Sequence, residues 1–387
     1  MKHLLVITFT SLKTDARVRR HVNLLKEKYQ LTVACFDAER SPQYIALPLK
    51  QKELTLIDKV TTGLLLAMRW FSQAYKHLHP FEHLVSDVSQ SKFDLILAND
   101  IESLPLAFKI SKQQKCPVVF DAHEYAPRHF EDKFVWRLLF QPLNIYLCKK
   151  YIHQTAGMIT IGSGLAKEYE KNFQVKPVVI TNANHFHKLN PSPLKNSAIR
   201  MVHHGIATPS RKLELMIEMM DYLDDRFTLD MYLLPLGFSS SKTKNYPETL
   251  KELAARNSRV RILPPIKGDE IVSKINEYDI GVFLIPPVNF NYQNTLPNKL
   301  FDFIQARLAI AIGPTPEMAE IVNNYEMGVV SEDFTPKSLA EKLIAITPEQ
   351  LQAYKQNSIA AAEKLNAEEN QKILIDLIEK VLQQKQP

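Results

Sequence analysis

The strongest constraint on the fold is a regular alternation between short apolar runs rich in β-branched residues and segments with helical spacing. In the first half of the chain the runs lie at 3–9, 31–36, 93–98, 117–122, 157–161 and 177–181. Between the first two runs, Val18, Val22 and Leu25 fall on one face of a helix that begins near Asp15. Strands that alternate with helices at this rhythm predict parallel βαβ units with helices on both faces of a sheet.

The alternation stops once and then resumes, which divides the chain into two similar halves. Residues 182–198 are polar, contain two prolines and show no periodicity, so we expect a linker there. Further apolar runs follow at 199–204, 227–234, 259–264, 279–285, 308–313 and 328–330. We therefore predict two Rossmann-like α/β domains facing each other across a cleft, over 1–185 and 186–346, and then helices over 347–387 that pack back on the body.

Composition excludes several classes of protein and several kinds of site. Of the 387 residues, 45% are hydrophobic and 23% charged, which is typical of a globular protein and excludes a disordered chain. Only ten residues are glycine, so an anion site must use helix N-termini and basic side chains rather than a glycine-dense loop. Cys35, Cys116 and Cys148 are too scattered for a disulfide framework or a zinc site, and they fit a reducing cytoplasm. The first ten residues predict a buried strand rather than a signal peptide.

Positive charge is concentrated in the first half of the chain. Residues 1–185 contain 25 Lys and Arg against 17 Asp and Glu, an excess of +8, whereas the rest contain 23 against 25. From charge alone a solvated face is preferred over contact with nucleic acid, an anionic membrane or a phosphorylated substrate. The basic residues are not interleaved with aromatic ones in a recognisable module, so no nucleic-acid partner is expected. The apolar stretch 60–71 is interrupted by Arg69 and is too short to span a membrane. The overlapping segment 64–78 lies at a membrane surface or forms an internal helix.

Candidate chemistry in the first half lies just after predicted strands. An arginine cluster that includes Arg17 begins the first helix, where an anion can bind, although pairing with acids or surface exposure is preferred on this feature alone. After the fourth strand, His123 stands between Asp121 and Glu124. A histidine there can orient a hydroxyl group or transfer a proton, and it can equally be a hydrogen-bonded loop residue. No second His or Cys follows at ligand spacing, so no metal site is predicted.

The second half contains two further candidate segments. Gly205 ends a strand, and Arg211 and Lys212 precede a helix, which is a suitable arrangement for a diphosphate. The run 294–302 leads from a loop into another helix, with Pro297 expected in its first turn. Backbone N–H groups and Lys299 can bind an anion there, and Asp302 can accept hydrogen bonds from a ribose diol. The alternative for this run is a well-capped core helix.

Together these residues resemble a GT-B-fold glycosyltransferase of the retaining type of glycosyltransferase family 4, over nearly the whole chain. The matching pieces, in order, are 14–20, 98–100, 120–124, His204-Gly205 with Arg211, 296–302 and 317–322. The resemblance implies that the second domain binds a sugar nucleotide and the first domain an acceptor. It also implies the roles of individual residues.

In this resemblance Arg211 binds the donor diphosphate, assisted by Lys299, and His123 lies near the donor sugar and the reacting bond. Asn294 and Asp302 have the spacing of the family's paired glutamates, of which the first touches the transferred sugar and the second holds the ribose. The implied catalytic residues are therefore His123 and Asn294. The implied donor-binding residues are Gly205, Arg211, Lys212, Pro297, Asn298, Lys299 and Asp302, and those on the acceptor or phosphate side are Arg17, Asp100 and Glu124.

The sequence departs from the family's pattern at several positions. Asn294 replaces a carboxylate, and Ile206 follows Gly205 where an arginine is usual. Residues 8–12 replace a glycine-rich turn, and Arg307 stands where a glycine normally precedes the next strand. These departures change residues that contact the donor in the family. Functions other than sugar transfer therefore stay open as alternatives.

The resemblance implies a metal-independent hexosyltransferase that moves a sugar from a nucleoside diphosphate sugar to a glycan or glycolipid acceptor with retention. Cell-surface polysaccharide synthesis is the expected context, in the cytoplasm at the inner face of the membrane, with the sugar nucleotide as co-substrate and no further cofactor. One alternative is a UDP-sugar epimerase of the same architecture. Another, motivated by Asn294, is a transferase-like binding subunit that has lost catalysis.

Overall fold

The chain is described by a computed structural model that covers residues 1–39, 41–194, 198–235 and 241–384, except for the side chains of 235 and 241–244. It forms two compact units. The first unit comprises Met1–Thr181, Asn289–Asn291 and Gln371–Pro387, and the second comprises Asn182–Val288 and Tyr292–Asn370. The polar stretch predicted as a linker forms no helix or strand up to Leu194, and its residues 195–197 lie outside the described part.

The first unit is built on a parallel sheet. Its described strands are β1 His3–Ser11, β2 Gln30–Phe36, β3 Ile45–Leu49, β4 Leu95–Asn99, β5 Val118–Ala122, β6 Gly157–Thr160 and β7 Val178–Val179, in the order β3-β2-β1-β4-β5-β6-β7. Every strand except β3 coincides with a predicted apolar run. The strand β3 was not predicted because it is half-exposed and contains Pro48, which is tolerated at the edge of a sheet where no further strand needs its missing N–H.

Helices cover both faces of this sheet. They are α1 Ala16–Lys28, α2 Leu56–Ala67, α3 Phe71–Leu78, α4 His83–Asp87, α5 Leu104–Gln114, α6 Phe134–Tyr151 and α7 Ser163–Phe173. The side chain of Asp15 accepts a hydrogen bond from the N–H of Val18 and so caps α1, whose buried face is the predicted one. Alternate residues of β1 belong to two different apolar clusters, Leu5 to one and Leu4 to the other, because successive side chains of a strand point to opposite faces.

The second unit repeats this architecture. Its described strands are β8 Ile199–Ala207, β9 Phe227–Pro235, β10 Val260–Leu263, β11 Ile280–Phe283, β12 Ala309–Ile312 and β13 Gly328–Val330, in the parallel order β10-β9-β8-β11-β12-β13. All six coincide with predicted runs. The remaining helices are α8 Glu214–Met219, α9 Ser241–Ala254, α10 Ile271–Ile275, α11 Phe290–Gln293, α12 Asn298–Gln305, α13 Pro316–Asn324, α14 Pro336–Ile344, α15 Pro348–Lys364 and α16 Ala367–Gln383. The predicted class of two Rossmann-like units with a helical tail is confirmed.

The terminal helix α16 ends in the first unit. Its buried Leu374, Ile378 and Val381 belong to the same apolar cluster as Leu4 of β1. Gly157 of β6 packs closely against this helix, because a Cβ at that position would lie 3.1 Å from a methyl carbon of Leu377. The last part of the chain therefore completes the core of the unit in which the chain begins.

Candidate functional site

The first candidate site lies in the second unit, near the carboxyl end of β8. Gly205 has a φ angle of +132°, a conformation that L side chains rarely adopt. A Cβ at this position would lie 3.2 Å from Nζ of Lys299 and 3.5 Å from Nη1 of Arg211. The fold thus brings the side chains of two cations, far apart in sequence, to the backbone of one glycine.

Lys299 is buried in the first turn of α12, and its hydrogen-bond partner is an imidazole rather than a carboxylate. Its Nζ lies 3.2 Å from Nε2 of His203 and 4.1 Å from the ring centroid of Phe283. Nδ1 of His203 lies 2.9 Å from the carbonyl oxygen of Val282, which can only accept, so Nδ1 donates and Nε2 accepts from Lys299. Burial, reinforced by nearby Arg211, holds the pKa of Lys299 well below its usual range.

Asp302, the predicted ribose-binding residue, is buried one turn further along α12. Its Oδ1 accepts a hydrogen bond of 3.0 Å from Nδ2 of Asn184, and its Oδ2 lies 3.4 Å from Nε2 of His204. Burial, with Lys299 and Arg211, lowers the pKa of His204 to about 3, so this imidazole is neutral at pH 7. The sequence reasoning missed Asn184, which lies in the predicted linker and gave no signal beyond closely following a strand. The ribose contact of Asp302 stays a prediction.

The other donor-side residues lie around this cluster in the same unit. Pro297 is the N-cap of α12, one position before the expected first turn, and Asn298 is the first helical residue. Lys212 is exposed, with Nζ 4.0 Å from a carboxylate oxygen of Glu214. Asn294 is half-buried in the loop between α11 and α12. Their donor contacts, and the catalytic role of Asn294, stay predictions.

Arg307 shows how the chain manages without a glycine after α12. Its φ angle of +59° is the left-handed conformation that glycine usually supplies at a helix end. The guanidinium is buried, and it donates hydrogen bonds to the carbonyl oxygens of Ile304, Gln305 and His187. The side chain therefore satisfies helix-terminal carbonyl groups, which offsets the backbone strain.

The second candidate site lies in the first unit, where Arg17 is committed to Asp121. Nε and Nη2 of the arginine donate to the two carboxylate oxygens at 2.9 and 2.8 Å, and Nη1 donates to the carbonyl oxygen of Ile180. Both side chains are buried. Pairing with an acid, the preferred interpretation of this arginine in the sequence, is what the structure shows.

His123 stands between two carboxylates at the ends of neighbouring strands. Its Nδ1 lies 3.3 Å from Oδ2 of Asp100, and its Nε2 lies 3.5 Å from Oδ2 of Asp121. Burial alone would lower the pKa of His123, but Asp100 and Asp121 outweigh burial and raise it to about 9. At neutral pH this histidine is therefore an imidazolium, whose N–H groups are able to donate hydrogen bonds and which does not accept a proton.

Asn99 and Asp100 come just before a helical turn, where such residues often act as N-caps, but their side chains make other contacts. The side chain of Asp100 makes no capping hydrogen bond to the helical turn that follows, and it faces His123 instead. Its φ angle of +61° is uncommon for a residue other than glycine, and strain of this kind concentrates at functional sites. Asn99 donates a hydrogen bond to the carbonyl oxygen of Ile7 and ties β4 to β1.

Glu124 and a histidine missed by the sequence reasoning lie in the same part of the first unit. Nε2 of His129 lies 2.7 Å from Oε2 of Glu124. Burial would lower the pKa of His129, but the hydrogen bond to Glu124 raises it.

The side chain of Glu102 lies in the same unit. Burial raises its pKa to about 7, with a further contribution from Asp100. Within the described residues, no three His, Cys, Asp or Glu side chains are placed to hold a metal ion.

Comparison with known proteins shows the fold. No protein-family model matches the chain, and neither does any curated protein. Among solved structures, sucrose-phosphate synthase from Thermosynechococcus elongatus has a TM-score of 0.76 at 12% identity, covering 100% of both chains. Anabaena Alr3699/HepE in complex with UDP-glucose has a TM-score of 0.72 at 14% identity, covering 98% of this chain and all of the other.

A third solved structure is similar over almost the same length. It carries the description trehalose-6-phosphate from E. coli bound with UDP-2-fluoro glucose, and it matches with a TM-score of 0.72 at 10% identity over 97% of this chain and 99% of the other. At these identities the likeness concerns the fold. The chain has the GT-B fold, and this confirms the expectation drawn from the sequence resemblance.

Proposed function

We propose that the protein is a glycosyltransferase that moves a sugar from a nucleoside diphosphate sugar to a glycan or glycolipid acceptor with retention of configuration. The observation that carries this proposal is the convergence of Arg211 and the buried Lys299 at Gly205. A buried ammonium group is unfavourable unless an anion compensates it. A diphosphate supplies that charge, and similar folds have been solved with UDP-glucose and UDP-2-fluoro glucose.

The proposed chemistry follows from where charge develops. The bond between the anomeric carbon and the diphosphate oxygen breaks, and the electron pair stays on the diphosphate. The acceptor hydroxyl oxygen forms a bond to the same carbon, and its proton passes to an oxygen of the departing diphosphate. Arg211, Lys299 and the backbone N–H groups at the start of α12 stabilise the leaving diphosphate, and preorganised donors of this kind supply much of the rate enhancement. The proposal assigns this role to side chains and not to a metal ion.

Residues of the first unit are proposed to act on the sugar and on the acceptor. His123, held as an imidazolium by Asp100 and Asp121, donates a hydrogen bond to a sugar oxygen. Glu124 and Asp100 are the proposed hydrogen-bond acceptors for the second substrate. We place the reaction in the cytoplasm, in cell-surface polysaccharide synthesis, with an acceptor presented at the inner face of a membrane. In the described part of the chain, every helix is too short or too polar to cross a bilayer.

The test is a panel of UDP-, GDP- and ADP-sugars, with binding measured by calorimetry and turnover by mass spectrometry with and without acceptor glycans. We expect one nucleotide class to bind and be consumed, and Arg211→Ala to abolish both. The control is Lys274→Ala, an exposed lysine of the same unit that pairs with Glu277. Absence of binding and turnover across the panel would refute the proposal. Conversion to an epimeric sugar nucleotide without acceptor would show an epimerase, and binding without turnover a binding subunit.

A further inference from the structure

The first unit exposes an unusual concentration of large apolar side chains. Of the eighteen that are exposed among the described residues, ten lie on two short segments. We call these ten residues the apolar face; they are Leu56, Ile57, Val60, Leu64, Met68, Trp70, Phe130, Phe134, Val135 and Leu138. Clusters of this kind mark interaction surfaces, whereas singly scattered apolar residues need no explanation.

The apolar face follows from helix geometry. On α2, Leu56, Val60 and Leu64 recur at intervals of four residues and therefore share one side of the helix. Thr62 and Leu66 are buried on the opposite side. Packing against the core explains only the buried side of α2. It does not explain why the outward side of the helix is also apolar.

The two segments lie next to each other. Helix α2 packs against α6, and Nη1 of Arg69 lies 3.4 Å from the carbonyl oxygen of Leu138. Phe134 and Leu138 are four residues apart and share the outward side of α6. The exposed side chains of both helices therefore form one surface.

This surface corrects the sequence expectation for residues 64–78. The segment is not one helix, since α2 ends at Ala67 and Arg69 takes a φ angle of +60° before α3 begins. In α3, Ala74 is buried and Phe71 packs against the core, so one side of this helix faces the interior. The exposed surface includes Leu64, Met68 and Trp70 of this segment and adds the start of α2 and the start of α6, which lie outside it.

The charged residues around the apolar face indicate what kind of partner binds it. Four exposed cations, Lys59, Arg69, Lys133 and Arg137, lie on the same two segments, and Nζ of Lys133 is 4.5 Å from the ring centroid of Phe130. Of the acids on these segments, Asp58 is paired with Lys52 and Glu131 with Arg128. Asp132 is exposed and keeps its negative charge, so four exposed cations stand against one exposed acid. The surface is therefore apolar with a positive rim.

The positive rim distinguishes between two kinds of partner, a second copy of the chain and an anionic bilayer. In a symmetric contact with a second copy of the chain, the same patch meets itself and brings like charges together. An anionic bilayer surface satisfies both features, because acyl chains receive the apolar residues and headgroups receive the cations. The excess charge of +8 over residues 1–185 acts in the same direction.

We propose that the apolar face binds the surface of a bilayer that contains anionic phospholipid, with α2 and the start of α6 lying in the interface. This inference rests on the proposed function, in which the acceptor is presented at a membrane. Two contributions to the free energy of binding are required. One is burial of the apolar side chains, and the other is attraction of the four cations, Lys59, Arg69, Lys133 and Arg137, to anionic headgroups.

The chain contains its own probe for this surface. It has two tryptophans, Trp70 on the apolar face and Trp136 in α6. In a Trp136→Phe variant, Trp70 is the single tryptophan and reports directly on its surroundings. With vesicles of phosphatidylcholine and phosphatidylglycerol, we expect its emission to shift to shorter wavelength, to be quenched by brominated lipid, and to lose both effects as salt increases.

Variants separate the apolar contribution from the electrostatic one. Replacing two exposed leucines, Leu56→Gln with Leu64→Gln, is expected to weaken co-sedimentation with vesicles about tenfold or more. The matched control is Ile45→Gln with Ile344→Gln, which changes two exposed isoleucines elsewhere and is expected to leave binding unchanged. Lys59→Gln with Lys133→Gln is expected to weaken binding at low salt only.

The outcomes distinguish this inference from the proposed function. Loss of vesicle binding in the leucine variant, with sugar-nucleotide binding unchanged, supports the inference. An unchanged Trp70 emission with anionic vesicles at low salt, or equal weakening by the control pair, overturns it. A vesicle-independent dimer that the leucine variant dissociates also overturns it in favour of a second copy. Vesicle binding by a chain that binds no sugar nucleotide supports the surface and refutes the function.

Discussion

Replacing Lys299 by methionine tests the buried-cation reasoning on stability and on binding at once. Methionine keeps the length of the apolar stem against Phe283 and removes the amine next to His203. Relief of the burial of Lys299, whose desolvation outweighs the attraction of Asp302, recovers on the order of 3 kcal/mol, and leaving Nε2 of His203 without its donor costs about 1 kcal/mol. We therefore expect the variant without ligand to be more stable than the parent by about 2 kcal/mol.

The same substitution is expected to weaken binding of the nucleotide. Hydrogen bonds between charged groups contribute about 1.5–3 kcal/mol, so loss of the ammonium raises the dissociation constant by roughly tenfold to a hundredfold or more. Urea unfolding gives the stability and calorimetry with UDP gives the binding. Lys274→Met, at an exposed position, is the control, and its stability is expected to change by no more than about 0.5 kcal/mol. A Lys299→Met variant that is less stable and binds UDP as tightly as the parent would refute the reasoning.

Further predictions concern other groups of the two sites. Burial lowers the pKa of Lys299 and a bound diphosphate raises it, so diphosphate binding is expected to take up a proton at a pH between these two pKa values, seen as calorimetric enthalpies that depend on the ionisation enthalpy of the buffer. Gly205→Ala places a methyl group against Lys299 and Arg211 at a positive φ angle, so circular dichroism should show a loss of about 1–2 kcal/mol and calorimetry a loss of nucleotide binding. Arg17→Met removes the bidentate partner of buried Asp121 and leaves it with the longer contacts of His21 and His123, so thermal unfolding should show a loss of about 3 kcal/mol. His123 contributes stability below its unfolded pKa of about 6.5 that is lost as pH rises through about 9, so unfolding of His123→Gln should lack this pH dependence.

Most of the fold could be predicted because its signals are local. Apolar runs of three to eight residues mark strands of a sheet that is buried on both faces, and Asp15 marks the start of α1. The strand β3 was missed because an edge strand with Pro48 is under a weaker constraint than a central one. The contact of Asp100 with His123 could not be predicted, because the same residue type suits a helix cap and a carboxylate facing a histidine.

The sequence by itself determined two parallel α/β units and the segments that carry the candidate residues, since hydrophobic periodicity depends on near neighbours. Only the tertiary structure decided what each side chain does. It committed Arg17 to Asp121 across 104 residues, buried Lys299 beside His203, and left one side of α2 uncovered. Such pairings depend on how distant elements pack, and a linear pattern records which residues are apolar or charged but not which surfaces they meet.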